Sequence, residues 1–271
     1  MIARRNICLA AILIFFIIML CCTRIRHSYP HQLQKRNQYS PHHTRISLNS
    51  NQMRYETAHF VYGLWDTSPM PIEFRQNMEK WKKQGWIVKL WDKPMVDELL
   101  LKYPEYSKVV STFKRKVQIA DLARLLILFD EGGHYLDLDC IPYDDHHNLY
   151  RHLNEHMPLD IFYIENTLRI SDLIYSIFRP IRKFVPETPI RVANYAFGAR
   201  YPKNENIKKN LDLLIQRCAD NKDYDSDYDV IYSSGPDCTT TAIFNSNATI
   251  IDGHNWITHK CVGSWRNQKD K

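Results

Sequence analysis

Apolar positions along the chain follow two periods, and the switches between them mark its elements. Residues 59–65 (His-Phe-Val-Tyr-Gly-Leu-Trp) predict a first buried strand with its exit loop. Phe74, Met78 and Trp81 recur at helical spacing after Pro71. Residues 86–91 predict a second strand. Pro94 suits a helix start, with Val96, Leu99 and Leu100 along one side. Residues 117–130 are apolar at almost every position, which predicts a central helix buried all round. Gly132-Gly133 ends it, and a strand is predicted over residues 134–140. Residues 160–165, 191–200 and 248–251 read as further strands. Ile207, Leu211, Leu214, Ile215 and Cys218 mark an amphipathic helix, and Gly235-Pro236 opens a shorter one. Strands alternating with helices predict an α/β layered domain with a largely parallel sheet.

The amino-terminal part breaks both periods. Residues 7–22 are an uninterrupted apolar run between Arg4-Arg5 and Arg24 and Arg26. A bilayer needs about 20 apolar residues, with about 17 near the lower limit, so the run is short but workable in a thin membrane. We read residues 1–6 as a cytosolic tail and 7–23 as a signal-anchor. Cleavage is the rival reading, but Cys22 and Thr23 make a poor small-x-small site. Residues 24–53 are polar and Pro-containing with little aliphatic content, as in a disordered stem. Residues 54–271 form the folded body. This arrangement places a single-pass type II protein in the ER or Golgi membrane with its body in the lumen.

Charge narrows the picture slightly. The net charge of +6 is spread over 36 basic and 30 acidic residues, with no basic stripe of the kind nucleic acid requires. Cys140, Cys218, Cys238 and Cys261 fall in the body; two disulfides or four free thiols both satisfy the sequence, and no CxxC pair argues for zinc. Asn247-Ala248-Thr249 is a glycosylation sequon.

The chemistry concentrates in residues 121–139. Asp121 and Arg124 are three apart on the predicted helix and share a face. A charged pair on so apolar a helix needs further partners. In a strand, Asp137 and Asp139 would point one way while Leu136 and Leu138 enter the core. Paired carboxylates repel unless a cation or proton sits between them. Oxygen ligands of this kind suit Mg²⁺ or Mn²⁺. Ligands of parallel α/β sheets bind at the carboxyl ends of the strands, where this pair falls. His146, His147 and the stem histidines read as polar loop rather than metal site.

Asp121-x-x-Arg124, Gly132-Gly133-His134-Tyr135-Leu136-Asp137-Leu138-Asp139 and the late Gly263-Ser264-Trp265 resemble the DXD-containing sugar transferases. These are the GT-A glycosyltransferases related to Och1-type mannosyltransferases and to clostridial glucosylating toxin domains. The likeness spans roughly residues 59–265. It implies a GT-A fold, a nucleotide-sugar donor such as GDP-mannose or a UDP-hexose, a glycan or lipid acceptor, and Mn²⁺ or Mg²⁺. Asp139 would bind the metal directly, and Asp137 would assist there and contact ribose or sugar hydroxyls. His259 or Ser264 would complete the metal site, and an imidazole suits Mn²⁺ better than Mg²⁺. Asp121 and Arg124 would hold donor-sugar hydroxyls, with Tyr135 and Asn194 near the sugar. Trp265 would lie near the diphosphate, and Tyr62 or Trp65 against the base. The resemblance also implies retention of anomeric configuration. His134 stands where the family usually has an aliphatic residue, and Lys260-Cys261 where a histidine or aromatic is common.

Two other classes fit the residues less well. Phosphotransferases using Asp-x-Asp place it on the earliest strand with Thr or Val following, whereas here it lies mid-chain before Cys140. A non-catalytic sugar-binding protein of the same fold would keep the ligand residues without turnover.

Overall fold

The computed structural model describes residues 55–65, 68–143, 147–167, 190–220, 227–244 and 246–262. The predicted tail, anchor and stem, together with His146, Ser264 and Trp265, lie outside the described residues. Among the described residues, no helix is long and apolar enough to cross a membrane.

The elements follow the predicted alternation. Strand β1 (Thr57–Val61) leads to α1 (Ile72–Lys83), β2 (Ile87–Trp91), α2 (Lys93–Lys102) and the short α3 (Pro104–Ser107). The long α4 (Val117–Glu131) then delivers the chain to β3 (Gly133–Leu136) and β4 (Cys140–Pro142). After α5 (Leu149–His156) come β5 (Asp160–Thr167) and β6 (Ile190–Ala199). Helices α6 (Glu205–Ala219), α7 (Asp227–Ser233) and α8 (Pro236–Phe244) precede β7 (Thr249–Asp252) and β8 (Ile257–His259).

A six-stranded sheet runs β2-β1-β3-β6-β5-β7, and β4 pairs with β8 in a separate ribbon. The β1–β2, β1–β3 and β5–β7 pairs are parallel, and β6 alone runs against both neighbours. The sheet is thus mostly parallel, as its alternating pattern predicts. One core packs Phe60, Trp81, Trp86, Leu136, Leu153 and Tyr163 together. Helix α4 is buried from Ala120 to Phe129, so its apolar side chains face packed protein on all sides.

Two corrections bear on the site. The predicted 134–140 strand ends at Leu136; Asp137 to Asp139 form a turn closed by the Cys140 N–H donating to the Asp137 carbonyl at 2.9 Å. The chain then leaves the main sheet for the β4–β8 ribbon, so the two carboxylates do not share a strand face. Leu136 and Leu138 are buried, as expected. The predicted final strand is followed by a further one, β8. The four body cysteines are free thiols, which settles the disulfide alternative.

The Gly-Gly pair sets where this turn begins. Gly132 and Gly133 adopt φ of 72° and 87°, which only glycine takes without strain. The Gly132 N–H caps α4 on the Leu128 carbonyl at 2.9 Å. His59 holds the pair from β1. Its Nδ1 accepts the Trp91 indole N–H at 3.1 Å, so its Nε2 carries the proton and donates to the Gly132 carbonyl at 3.0 Å.

Candidate active site

Asp137 and Asp139 occupy the turn beyond the carboxyl end of β3. Their side chains differ in access: 28% of the Asp137 side chain is exposed, against 12% for Asp139. Helix α1 fixes the turn's backbone. The Asn77 amide donates to the Leu138 carbonyl at 2.9 Å, and the Trp81 indole N–H donates to the Cys140 carbonyl at 3.0 Å. Strand β6 holds the near side, its Tyr195 carbonyl accepting the Asp137 N–H at 2.8 Å.

Around Asp137 lies a connected polar cluster. The Tyr135 hydroxyl donates to its carboxylate at 2.7 Å, and Arg124 Nη1 stands 3.4 Å from the same oxygen. The guanidinium lies 5.0 Å over the Tyr135 ring. Arg124 also contacts Asp121 at 3.2 Å, donates to the Ala120 carbonyl at 3.3 Å, and donates to the Asn194 carbonyl. Asp121 in turn accepts from the Asn194 amide at 3.2 Å and from the Ser234 hydroxyl at 2.7 Å. The predicted Asp121–Arg124 pair thus has the extra partners that burial demands.

On the other side, the β4–β8 ribbon brings His259 to Asp139. Nε2 of His259 lies 3.2 Å from the carboxylate, whose other oxygen accepts the Val262 N–H at 2.9 Å. Tyr195 stacks on the imidazole with centroids 4.0 Å apart. Cys261 Sγ lies 3.3 Å from the opposite ring nitrogen.

These surroundings push the two carboxylates apart in acidity. Although part of its side chain reaches solvent, Asp137 is packed deeply enough that desolvation raises it, and the Asp139 charge adds to this against Arg124, Tyr135 and His259. Burial also tends to raise Asp139, but His259 and the Val262 N–H win, leaving its pKa lowered. His259 is raised correspondingly, because Asp139 outweighs desolvation. Asp121 is pushed up to about 6, mainly by burial, against the pull of Arg124 and Ser234.

A metal would find suitable donors here. Ligand atoms of Asp139, Cys140 and His259 lie within 4.8 Å of one another. Asp139 oxygen with His259 nitrogen matches a divalent cation of the Mn²⁺ class. Cys140 is fully buried, and burial above all raises its thiol well beyond the ordinary range, so it reads as core packing.

The structure therefore brings together Asp121, Arg124, Tyr135, Asp137, Asp139, Asn194 and His259. Tyr62 and Trp65 follow β1, whose carboxyl end lies beside that of β3. Tyr62 packs on the core and donates to the Ser68 carbonyl at 3.0 Å, while Trp65 is half-buried. His147 lies within ring-contact distance of Tyr143 and Trp256, in keeping with a loop role. Asn77, Trp81, Tyr195 and Ser234 also support the site, although the sequence gives none of them a site role. Their sequence contexts are ordinary, and only the tertiary fold reveals them.

Residues 62–156 match the family described as the glycosyltransferase sugar-binding region containing the DXD motif. That span holds α1, α4 and the Asp137-Leu138-Asp139 turn. Among solved structures, the PaToxG glycosyltransferase matches with 16% sequence identity, covering 70% of this chain and 68% of that one at a TM-score of 0.45. No curated protein matches the chain.

Proposed function

We propose that this protein is a metal-dependent glycosyltransferase moving a hexosyl group from a nucleoside-diphosphate sugar to a glycan or lipid hydroxyl. The observation that carries the reading is the Asp137–Asp139 turn, inside the matched DXD region, flanked by Arg124 and His259. Asp139, with Asp137 and His259, would hold Mn²⁺ or Mg²⁺; Ser264 is a further proposed ligand. A divalent cation there neutralises charge on the departing diphosphate without needing a proton.

The chain's own groups divide the remaining work. Tyr135 and Arg124 hold the Asp137 carboxylate through one of its oxygens. Asp121 and Arg124, braced by Asn194 and Ser234, would orient donor-sugar hydroxyls. Tyr62 or Trp65 would take the base, and Trp265 the diphosphate side. With retention, the acceptor hydroxyl attacks the face from which the diphosphate leaves. The anomeric C–O bond to phosphate breaks, a new glycosidic bond forms, and the acceptor's proton passes to a phosphate oxygen.

Residues 7–23 would anchor the protein in an ER or Golgi membrane, with the body carried in the lumen on a stem over residues 24–53. The length of the apolar run supports an anchor, and the lumenal side is part of the proposal, since basic residues flank the run on both sides. The direct test is a Mn²⁺-supplemented screen of the full chain against GDP-mannose, UDP-galactose, UDP-glucose and UDP-N-acetylglucosamine, reading release of free sugar and transfer. One donor should be consumed, and Asp139→Ala should lower that consumption by ~10²–10³. Tight donor binding with no turnover on any of them would instead establish a sugar-binding protein of this fold.

A further inference from the structure

We infer that Asn247 is an N-glycosylation site, carrying an oligosaccharide on the end of the sheet opposite the candidate active site. The proposal rests on the lumenal placement above, and three structural observations argue for it. The chain holds one Asn-x-Ser/Thr sequence, Asn247-Ala248-Thr249, with alanine rather than proline in the middle. Asn247 is exposed in the connection between α8 and β7, while Ala248 behind it is buried. The folded body can therefore carry a sugar chain on Asn247 without displacing the buried residue behind it.

The amide is also presented the right way round. Asn206 Nδ2 donates to the Asn247 side-chain Oδ1 at 3.1 Å and to Asp160 at 2.8 Å. That bond occupies the oxygen end of the side chain and leaves the nitrogen, the atom that is glycosylated, outside it. Ser246 shapes the approach: its hydroxyl accepts the Ala248 N–H at 3.1 Å and donates to the Ile243 carbonyl at 2.7 Å. In the modification, the Asn247 nitrogen bonds to the anomeric carbon of a lipid-diphosphate-linked oligosaccharide. The sugar–phosphate bond breaks, the lipid diphosphate leaves, and the amide gives up one proton to the transferring enzyme.

Strand register places this glycan away from the chemistry. Thr249 pairs with Ile161 near the amino end of β5, and Asp160 and Gly133 both pair with Ala199. Leu136, which leads into the Asp137 turn, pairs with Ala196 at the other end. Since β7 is an edge strand, a glycan at its start also shields unpaired backbone from edge-to-edge association.

The test expresses the full chain in cells with a secretory pathway and treats it with peptide N-glycosidase. A mobility shift on treatment, with aspartate left at position 247 by mass spectrometry, is the expected result. Asn247→Gln and Thr249→Ala should lose the shift, and Thr249→Ser should keep it, with donor consumption unchanged in all three. An unmodified Asn247 overturns the proposal. Protease protection in intact microsomes then tells which premise failed. A protected but unmodified body leaves the placement standing, whereas a digested body removes the placement as well. Neither outcome touches the transferase assignment, which donor consumption reads separately.

Discussion

The Asp139 carboxylate lies 3.2 Å from His259 Nε2, a contact made by the β4–β8 ribbon outside the main sheet. One partner ends the DXD turn and the other ends the last described strand. The contact therefore ties the side of the site proposed to hold the metal to the segment that carries β8. Asp139→Ala removes the group that both His259 and the Val262 N–H address. Loss of a preorganised charge stabiliser costs ~2.7–4 kcal/mol, so donor consumption should fall by ~10²–10³. A thermal-shift titration gives a second reading: Mn²⁺ should raise the unfolding temperature of the wild type and not of the variant. Equal Mn²⁺ stabilisation of the two proteins would rule Asp139 out as a ligand.

The backbone of the turn depends on α1, and Trp81→Phe tests that dependence. The substitution keeps most of the ring's bulk but removes the indole N–H that donates to the Cys140 carbonyl. A buried acceptor left without its donor costs about 1–3 kcal/mol. The variant should unfold earlier in denaturant, and its loss in kcat should exceed any change in KM for the donor, because the carboxylates shift relative to the reacting atoms. Asn77→Leu should behave similarly through the Leu138 carbonyl. Normal kcat in both variants would show that the turn holds itself.

Glycine at position 133 is required twice over. Its φ is 87°, and a Cβ there would lie 2.6 Å from His59 Nε2 and 2.8 Å from the Thr57 carbonyl. His59 cannot retreat easily, since it bridges Trp91 and Gly132. Gly133→Ala should therefore destabilise the fold by more than the about 1–3 kcal/mol of a single strained residue. Equilibrium urea unfolding would measure it, and a cost under about 1 kcal/mol would mean that β1 and β3 separate more readily than their packing suggests.

Most of the fold was legible because its elements are long or strongly patterned. Helix α4, at fifteen residues, and strand β6, at ten, announce themselves through their length and mostly apolar content. The DXD turn reads as strand in the sequence for a definite reason. Tyr135-Leu136-Asp137-Leu138 alternates like a strand, and Leu138 is buried, but tertiary bonds from Asn77 and Tyr195 bend the backbone after Leu136. Strands β4 and β8 are three residues each and too short to carry a period. Asp121, Arg124 and the two acids were found because charge on an apolar background stands out. Ser234 and Trp81 were not, because a serine before a glycine and a tryptophan on an amphipathic helix look ordinary until they are placed against their partners.

Asp121 should impose a pH limb on activity. Burial lifts its pKa from an unfolded value of 3.8 to about 6, so the native state holds a proton that the unfolded chain has released between those values. Its contribution to stability is present below pH 3.8 and declines as pH rises through 6. Function runs the other way, because the ionised carboxylate is the form that holds Arg124 and would accept a sugar hydroxyl. Donor consumption should rise with pH through about 6 in the wild type. Asp121→Asn should turn over more slowly and lose this limb. An unchanged limb in Asp121→Asn would assign the titration to another group.

Acid should unfold the protein through two buried histidines outside the proposed site. His59 and His134 are buried, and desolvation chiefly depresses each pKa from 6.5 to about 3. His134 shares a 2.7 Å hydrogen bond with the Tyr163 hydroxyl and packs against Trp86. Below pH 6.5 the unfolded chain takes up protons that these native imidazoles refuse. The stability they contribute is therefore full above pH 6.5 and is lost progressively toward pH 3. One group titrating only in the unfolded state gives a slope of about 1.4 kcal/mol per pH unit. The urea midpoint should consequently fall steeply between pH 6 and pH 4. His134→Phe keeps an aromatic ring beside Trp86 but cannot take up a proton. It should lower stability at pH 7, through the unpartnered Tyr163 hydroxyl, while reducing the acid sensitivity by about one histidine's share. If the variant and the wild type lose stability in parallel from pH 7 to pH 4, His134 does not govern the acid transition.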